Sequence, residues 1–355
     1  AVLNPISVVV LAVGVIALAA APALAVAWTD VTSTPSPSSS YGHAMAYDSA
    51  RGVTVLFGGG NGAGSLGETW ERDGAAWSLR STTGPSPRME HAMAYDSRRH
   101  VTVLFGGVPS AGNSPWDKET WEWDGNTWVL RSNSGIPGRK NHAMAYDSAR
   151  GVTVMFGGYG MTSYAEPGWR ESPTGDEIGR DGYLGDYTWE WDGNTWTPRS
   201  GGPPYREGHA MVYDSARGVT VLFGGDADTL TSYLGIVGDT WEWNGVSWTE
   251  RANSGPEARH RHAMCYDSDR GVTVLFGGST GGGSIGGTWE WDGNTWSEQA
   301  ITPSPLGRMW NRMAYDSNRK VAVMFGSSTG AQCRSKETWL YGDASNNCGD
   351  GIGEA

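Results

Sequence analysis

The sequence predicts an all-β protein, a six-bladed β-propeller of four-stranded antiparallel blades whose sixth blade is closed by the N-terminal strand. Three observations carry this expectation. A seven-residue motif, His-Ala-Met-Ala-Tyr-Asp-Ser or a close variant, starts at His43, His91, His142, His209, His262 and Asn311, at intervals of 48, 51, 67, 53 and 49 residues. Each copy runs into an apolar segment ending in Phe57, Phe105, Phe156, Phe223, Phe276 or Phe325, which together are all six Phe of the chain. A Thr-Trp segment then follows at Trp70, Trp121, Trp189, Trp241, Trp289 and Trp339. Units of about 50 residues with four short strands each are the repeat signature of a propeller.

Within each unit the elements follow in order. The first strand is the Ala-Met-Ala-Tyr run and the second is Val-Thr-Val-Leu-Phe. Between them Asp-Ser-x-Arg makes a tight hairpin, in which Asp bonds its own turn and Gly52, Gly151, Gly218 or Gly271 takes positive φ. The third strand is Thr-Trp-Glu-Trp. The fourth begins seven residues after the first Trp, at Trp77, Trp128, Trp196, Trp248 and Trp296. Asp-Gly-Asn and its variants supply the turn between them. The sixth unit has Asn346 where a fourth-strand Trp belongs, but Trp28 lies 15 residues before His43, within the spacing seen in the other copies. The N-terminal strand is therefore expected to complete blade six, which leaves no open sheet edge.

Residues 28 to about 343 resemble kelch repeats, in which an apolar run, a double glycine and two spaced aromatics recur. The resemblance implies a channel lined by the first strands, and ligands bound on the face bearing the loops between second and third strands. Two enzyme families share this type of repeat. The galactose oxidase family uses copper and a Tyr–Cys crosslink, but Cys265 and Tyr266 are neighbours on a strand and point to opposite faces. The six-bladed N-acetylneuraminate epimerases use Arg for the sugar carboxylate and an acid–base residue, for which Glu90 and Glu177 are candidates.

Composition narrows the function. The formal charge is −12, from 38 Asp and Glu against 26 Lys and Arg, and only four of the basic residues are Lys. An acidic surface of this kind repels nucleic-acid phosphates. The 19 Trp exclude a disordered chain. Sixteen of them fall on repeat positions, including Trp123, Trp191, Trp243 and Trp291, and are expected to pack between blades. Trp116, Trp169 and Trp310 do not. With Tyr164 and Arg170 of the long blade-three loop, Tyr159 to Tyr187, they are candidate ligand contacts, because variable loops on a rigid scaffold are where binding concentrates. The alternative is that they pack the loops onto the propeller.

A second series, Arg88, Arg139, Arg206, Arg259 and Arg308, stands three residues before each motif, with Ser40 in the first. These guanidinium groups either serve the scaffold or converge on an anion. The five motif His are read as hydrogen-bonded spacers rather than metal ligands. The turn Arg residues, such as Arg51 and Arg99, are expected to pair with their turn Asp. No cofactor is implied, and neither HExxH nor a phosphate loop is present.

The first 27 residues are uncharged, with an apolar run from Ile6 to Ala20 followed by small residues. They read as a secretory signal, with an uncleaved membrane anchor as the alternative. Residues 346–355 resemble the start of a cysteine-rich repeat, and a Cys333–Cys348 bridge is the alternative use of those thiols. Cys265 is read as a small buried residue. The expected molecule is a monomeric, secreted or surface-displayed module that binds a glycan or a protein. A sugar-modifying enzyme and a structural spacer are the other readings.

Overall fold

The computed structural model describes residues 26–39, 41–110, 116–160, 187–228, 233–328 and 334–343. The apolar start, most of the blade-three loop with Tyr164, Trp169, Arg170 and Glu177, and Cys333 and Cys348 lie outside the described residues, as does Ser40.

Six four-stranded antiparallel sheets form a ring. Blade one is Ala44–Asp48, Val53–Phe57, Thr69–Arg72 and Trp77–Ser81. The next four repeat this order, with inner strands Ala92–Asp96, Ala143–Asp147, Ala210–Asp214 and Ala263–Asp267. Blade six is Arg312–Asp316, Val321–Ser328 and Arg334–Asp343, with Val26–Asp30 as its outer strand. That strand is antiparallel to the third, with Trp28 opposite Tyr341. The N-terminal closure expected from Trp28 is therefore present, and the strand begins two residues earlier than the repeat suggested.

The repeat residues are explained by what passes between blades. Each outer-strand Trp donates its indole N–H to a third-strand Thr of the preceding blade: Trp77 to Thr338, Trp128 to Thr69, Trp196 to Thr120, Trp248 to Thr188, Trp296 to Thr240 and Trp28 to Thr288, at 2.7–2.9 Å. The same indoles pack at an angle on the Phe of that blade, with ring centroids 5.0–5.4 Å apart. Each such ring buries a large apolar area and satisfies its one donor, as a buried Trp requires.

The double glycine has an equally direct cause. A Cβ on Gly106 would lie 2.5 Å from the Arg139 carbonyl oxygen of the next blade, and one on Gly157 would lie 2.4 Å from that of Arg206. The second glycine of each pair donates to that same carbonyl, Gly107 to Arg139 and Gly158 to Arg206, both at 2.9 Å. Only a residue without a side chain lets two blades approach this closely.

At the far end from these contacts, the turn Asp side chains accept backbone N–H groups of their own hairpins, and the turn Arg residues pair with them: Arg51 with Asp48 at 2.6 Å, Arg217 with Asp214 at 2.7 Å. Five of the six, all but Arg319, also reach the third-strand Glu of their blade, as Arg51 does with Glu71 at 2.7 Å. Cys265 is buried on an inner strand beside Trp28 and Phe276, and burial pushes its thiol well above the ordinary range.

Candidate functional site at the channel mouth

The inner strands surround an axial cavity of about 100 Å³. Its mouth is set by the residue just before each motif: Gly42, Glu90, Asn141, Gly208, Arg261 and Trp310. All six adopt left-handed backbone, with φ between 56° and 66°. They are joined edge to edge by backbone hydrogen bonds. Glu90 donates to Gly42, Asn141 to Glu90, Gly208 to Asn141, Arg261 to Gly208 and Trp310 to Arg261, at 2.6–2.9 Å. The ring explains the conformation, since the left-handed turn aims each N–H at the preceding blade.

Four of these positions are not glycine. A left-handed L-residue costs roughly 1–2 kcal/mol, and such strain gathers where side chains are needed for function. Gly42 and Gly208 belong to blades one and four, so the ring of side chains is interrupted at two opposite positions, and that interruption is the groove. One wall is Glu90 and Asn141, and the other is Arg261 and Trp310. The Arg261 guanidinium lies over the Trp310 indole, 4.5 Å from the ring centroid. On the other wall Lys140 lies 3.3 Å from the Glu90 carboxylate, and the Asn141 amide donates to Glu207 at 3.0 Å. The walls thus carry an aromatic face, a guanidinium, an amide and a carboxylate.

Trp310 is thereby placed at the mouth. Trp116 sits further out, its indole edge-on to Tyr159 at 5.0 Å, while its carbonyl lies against Gly138. Tyr159 also lies 6.0 Å from the Lys140 ammonium, which links Trp116 through Lys140 to Glu90.

The Arg series sits inside the blades. Arg88, Arg139, Arg206, Arg259 and Arg308 are 0–3% exposed. Arg88, Arg139, Arg206 and Arg259 donate to the first glycine carbonyl of their own blade, at 3.0–3.2 Å. Arg88 pairs with Asp117 and Glu119, Arg206 with both oxygens of Asp239, and Arg308 with Glu337. Most of their donors are used within the scaffold, while Arg139 Nη2 and Arg308 Nη1 are buried without a partner among the described residues.

The motif His are buried. His91 bonds the Phe57 carbonyl of the preceding blade at 3.1 Å and packs edge-on to the Phe57 ring. Desolvation, aided by nearby Arg charges, lowers His43 and His209 to about 3, so both are neutral. Among the described residues no group of three or more His, Cys, Asp and Glu side chains is placed to hold a metal.

Sequence reasoning singled out Trp310 and Glu90 separately but missed the ring, and with it Asn141 and Arg261. The signal was available. In a repeat that is otherwise nearly invariant, the column before each motif reads Gly, Glu, Asn, Gly, Arg, Trp. No protein-family model matches this chain, and no curated protein resembles it closely enough to count as a match.

Proposed function

We propose that this chain is a kelch-like, secreted or surface-displayed propeller that binds a glycan across the mouth of its channel. The observation that carries the reading is the groove between Gly42 and Gly208, walled by Glu90 and Asn141 on one side and Arg261 and Trp310 on the other. An indole offers the flat apolar face that the C–H face of a sugar ring covers. A carboxylate, an amide and a guanidinium offer the acceptors and donors that hydroxyl groups need. The left-handed backbone serves the hydrogen bonds between blades, which a glycine makes equally well, as Gly208 does; four side chains stand there instead.

A glycan array probed with the purified propeller tests the proposal. Binding to a defined set of sugars, lost in Trp310→Ala and kept in Trp116→Ala, supports the mouth as the site. No sugar bound, with capture by a protein partner instead, rejects the glycan reading.

The enzyme reading has one candidate at the same place. Glu90, beside the Lys140 ammonium at 3.3 Å, is the carboxylate available on the groove wall for proton transfer. Turnover of a bound sugar that disappears in Glu90→Gln while binding persists would favour it.

A further inference from the structure

One position of the inner strands breaks the repeat in the direction of charge. Ala44, Ala92, Ala143, Ala210 and Ala263 open five inner strands, and Arg312 opens the sixth. Arg312 lines the axial cavity, two residues inside Trp310. Its Nη1 donates to the Asn311 carbonyl at 3.1 Å. Among the described residues no carboxylate lies within ion-pair distance of it. Glu90 is the carboxylate that acts on it through space, and Lys140 neutralises that one. The neighbouring His91, His142, His209 and His262 are neutral and carry buried Nδ1 atoms without partners. The Met side chains of the inner strands give the cavity an apolar wall.

Arg312 is partly exposed into the channel and has no ion-pair partner among the described residues, so its remaining N–H donors are open to a small anion. Burial lowers Arg312 to about 10, the direction expected of a cation short of partners. We propose that the axial cavity binds a small monovalent anion, such as a halide, nitrate or formate, paired with the Arg312 guanidinium. A cavity of about 100 Å³ has room for one such ion. The site lies beneath the groove and does not depend on what the groove binds.

Two measurements test this. Crystals soaked in bromide should show an anomalous peak within hydrogen-bond distance of the Arg312 side chain. In solution, the thermal midpoint should rise by about 2 °C for each tenfold increase in chloride above its dissociation constant, with gluconate holding ionic strength fixed. The rise should vanish in Arg312→Ala, which restores the residue of the other five blades, and weaken in Arg312→Lys. A cavity filled by water alone overturns the proposal. So does a bromide peak without any halide dependence of stability, or an equal dependence in Arg312→Ala. Should Arg312→Ala fail to fold, the bromide soak of the wild-type protein and the Arg312→Lys series decide.

Discussion

The Trp28 indole donates a 2.8 Å hydrogen bond to the Thr288 hydroxyl, joining residues 260 positions apart in the chain. The bond repeats, between the N-terminal strand of blade six and the third strand of blade five, the latch that every other blade makes with its neighbour. It makes the last interface of the ring equivalent to the other five. Trp28→Phe keeps the ring packing on Phe276 and loses the bond, so it should cost about 1 kcal/mol. Trp28→Ala should cost about 3–5 kcal/mol. Urea unfolding followed by circular dichroism checks both. Equal losses for the two variants would mean that packing contributes little to closure.

The buried Arg series should report on stability rather than affinity. Arg206→Ala leaves the Asp239 carboxylate with the Trp241 indole as its remaining side-chain donor and takes the guanidinium from the Gly224 carbonyl. Removing one partner of a buried pair costs about 3–5 kcal/mol. Denaturation should show that loss, while anion or glycan affinity of the folded fraction stays as in wild type. A stable variant with lost ligand binding would return the anion role to this ring.

The buried imidazoles make stability depend on pH in one direction. His209 titrates near 6.5 when unfolded and is lowered to about 3 in the fold. As pH drops below 6.5 the unfolded chain takes up a proton that the folded chain refuses. Stability is therefore full above about pH 6.5 and falls as pH drops toward 3. His209→Asn removes this contribution and copies blade six, where Asn311 holds the same place. The stability difference between wild type and His209→Asn should shift by about 2 kcal/mol in favour of the variant between pH 7.5 and 5. Parallel pH profiles would show that His209 takes up a proton as readily in the fold as in the unfolded chain.

The groove should close when its floor is filled. A Cβ on Gly208 would meet only the Arg261 Cγ and the His260 Cβ, at 3.5 Å, which is ordinary contact. Asn tolerates left-handed backbone, as Asn141 does at φ 56° in the same ring. Gly208→Asn should fold with little loss of stability and weaken ligand binding about tenfold or more. Calorimetric titration alongside a thermal melt checks this. Unaltered affinity would place the ligand away from the Gly42–Gly208 line.

Most of the fold could be read from the sequence because each repeat residue has a partner in the adjoining repeat. Trp, Phe, Thr and the paired glycines recur since six interfaces demand the same contacts, and even the N-terminal closure followed from the spacing of Trp28. The site was less legible for the same reason. Five Arg recur in the same way, yet Arg88, Arg139, Arg206 and Arg259 donate to the Gly106, Gly157, Gly224 and Gly277 carbonyls, and Arg88, Arg206 and Arg308 pair with partly exposed carboxylates. Asn141, Arg261 and Arg312 occupy columns where the pattern fails. Their importance rests on backbone hydrogen bonds and on an enclosed axial cavity, neither of which residue spacing encodes.

The central claim is that a ligand lies across the mouth against Trp310. Calorimetric titration of an array-identified glycan into wild type, Trp310→Ala and Trp116→Ala tests it most directly. An anchoring indole is worth about 2 kcal/mol or more at a recognition surface. Affinity should therefore fall at least about thirtyfold in Trp310→Ala, with Trp116→Ala within a factor of about three of wild type. Wild-type affinity in Trp310→Ala would contradict the account.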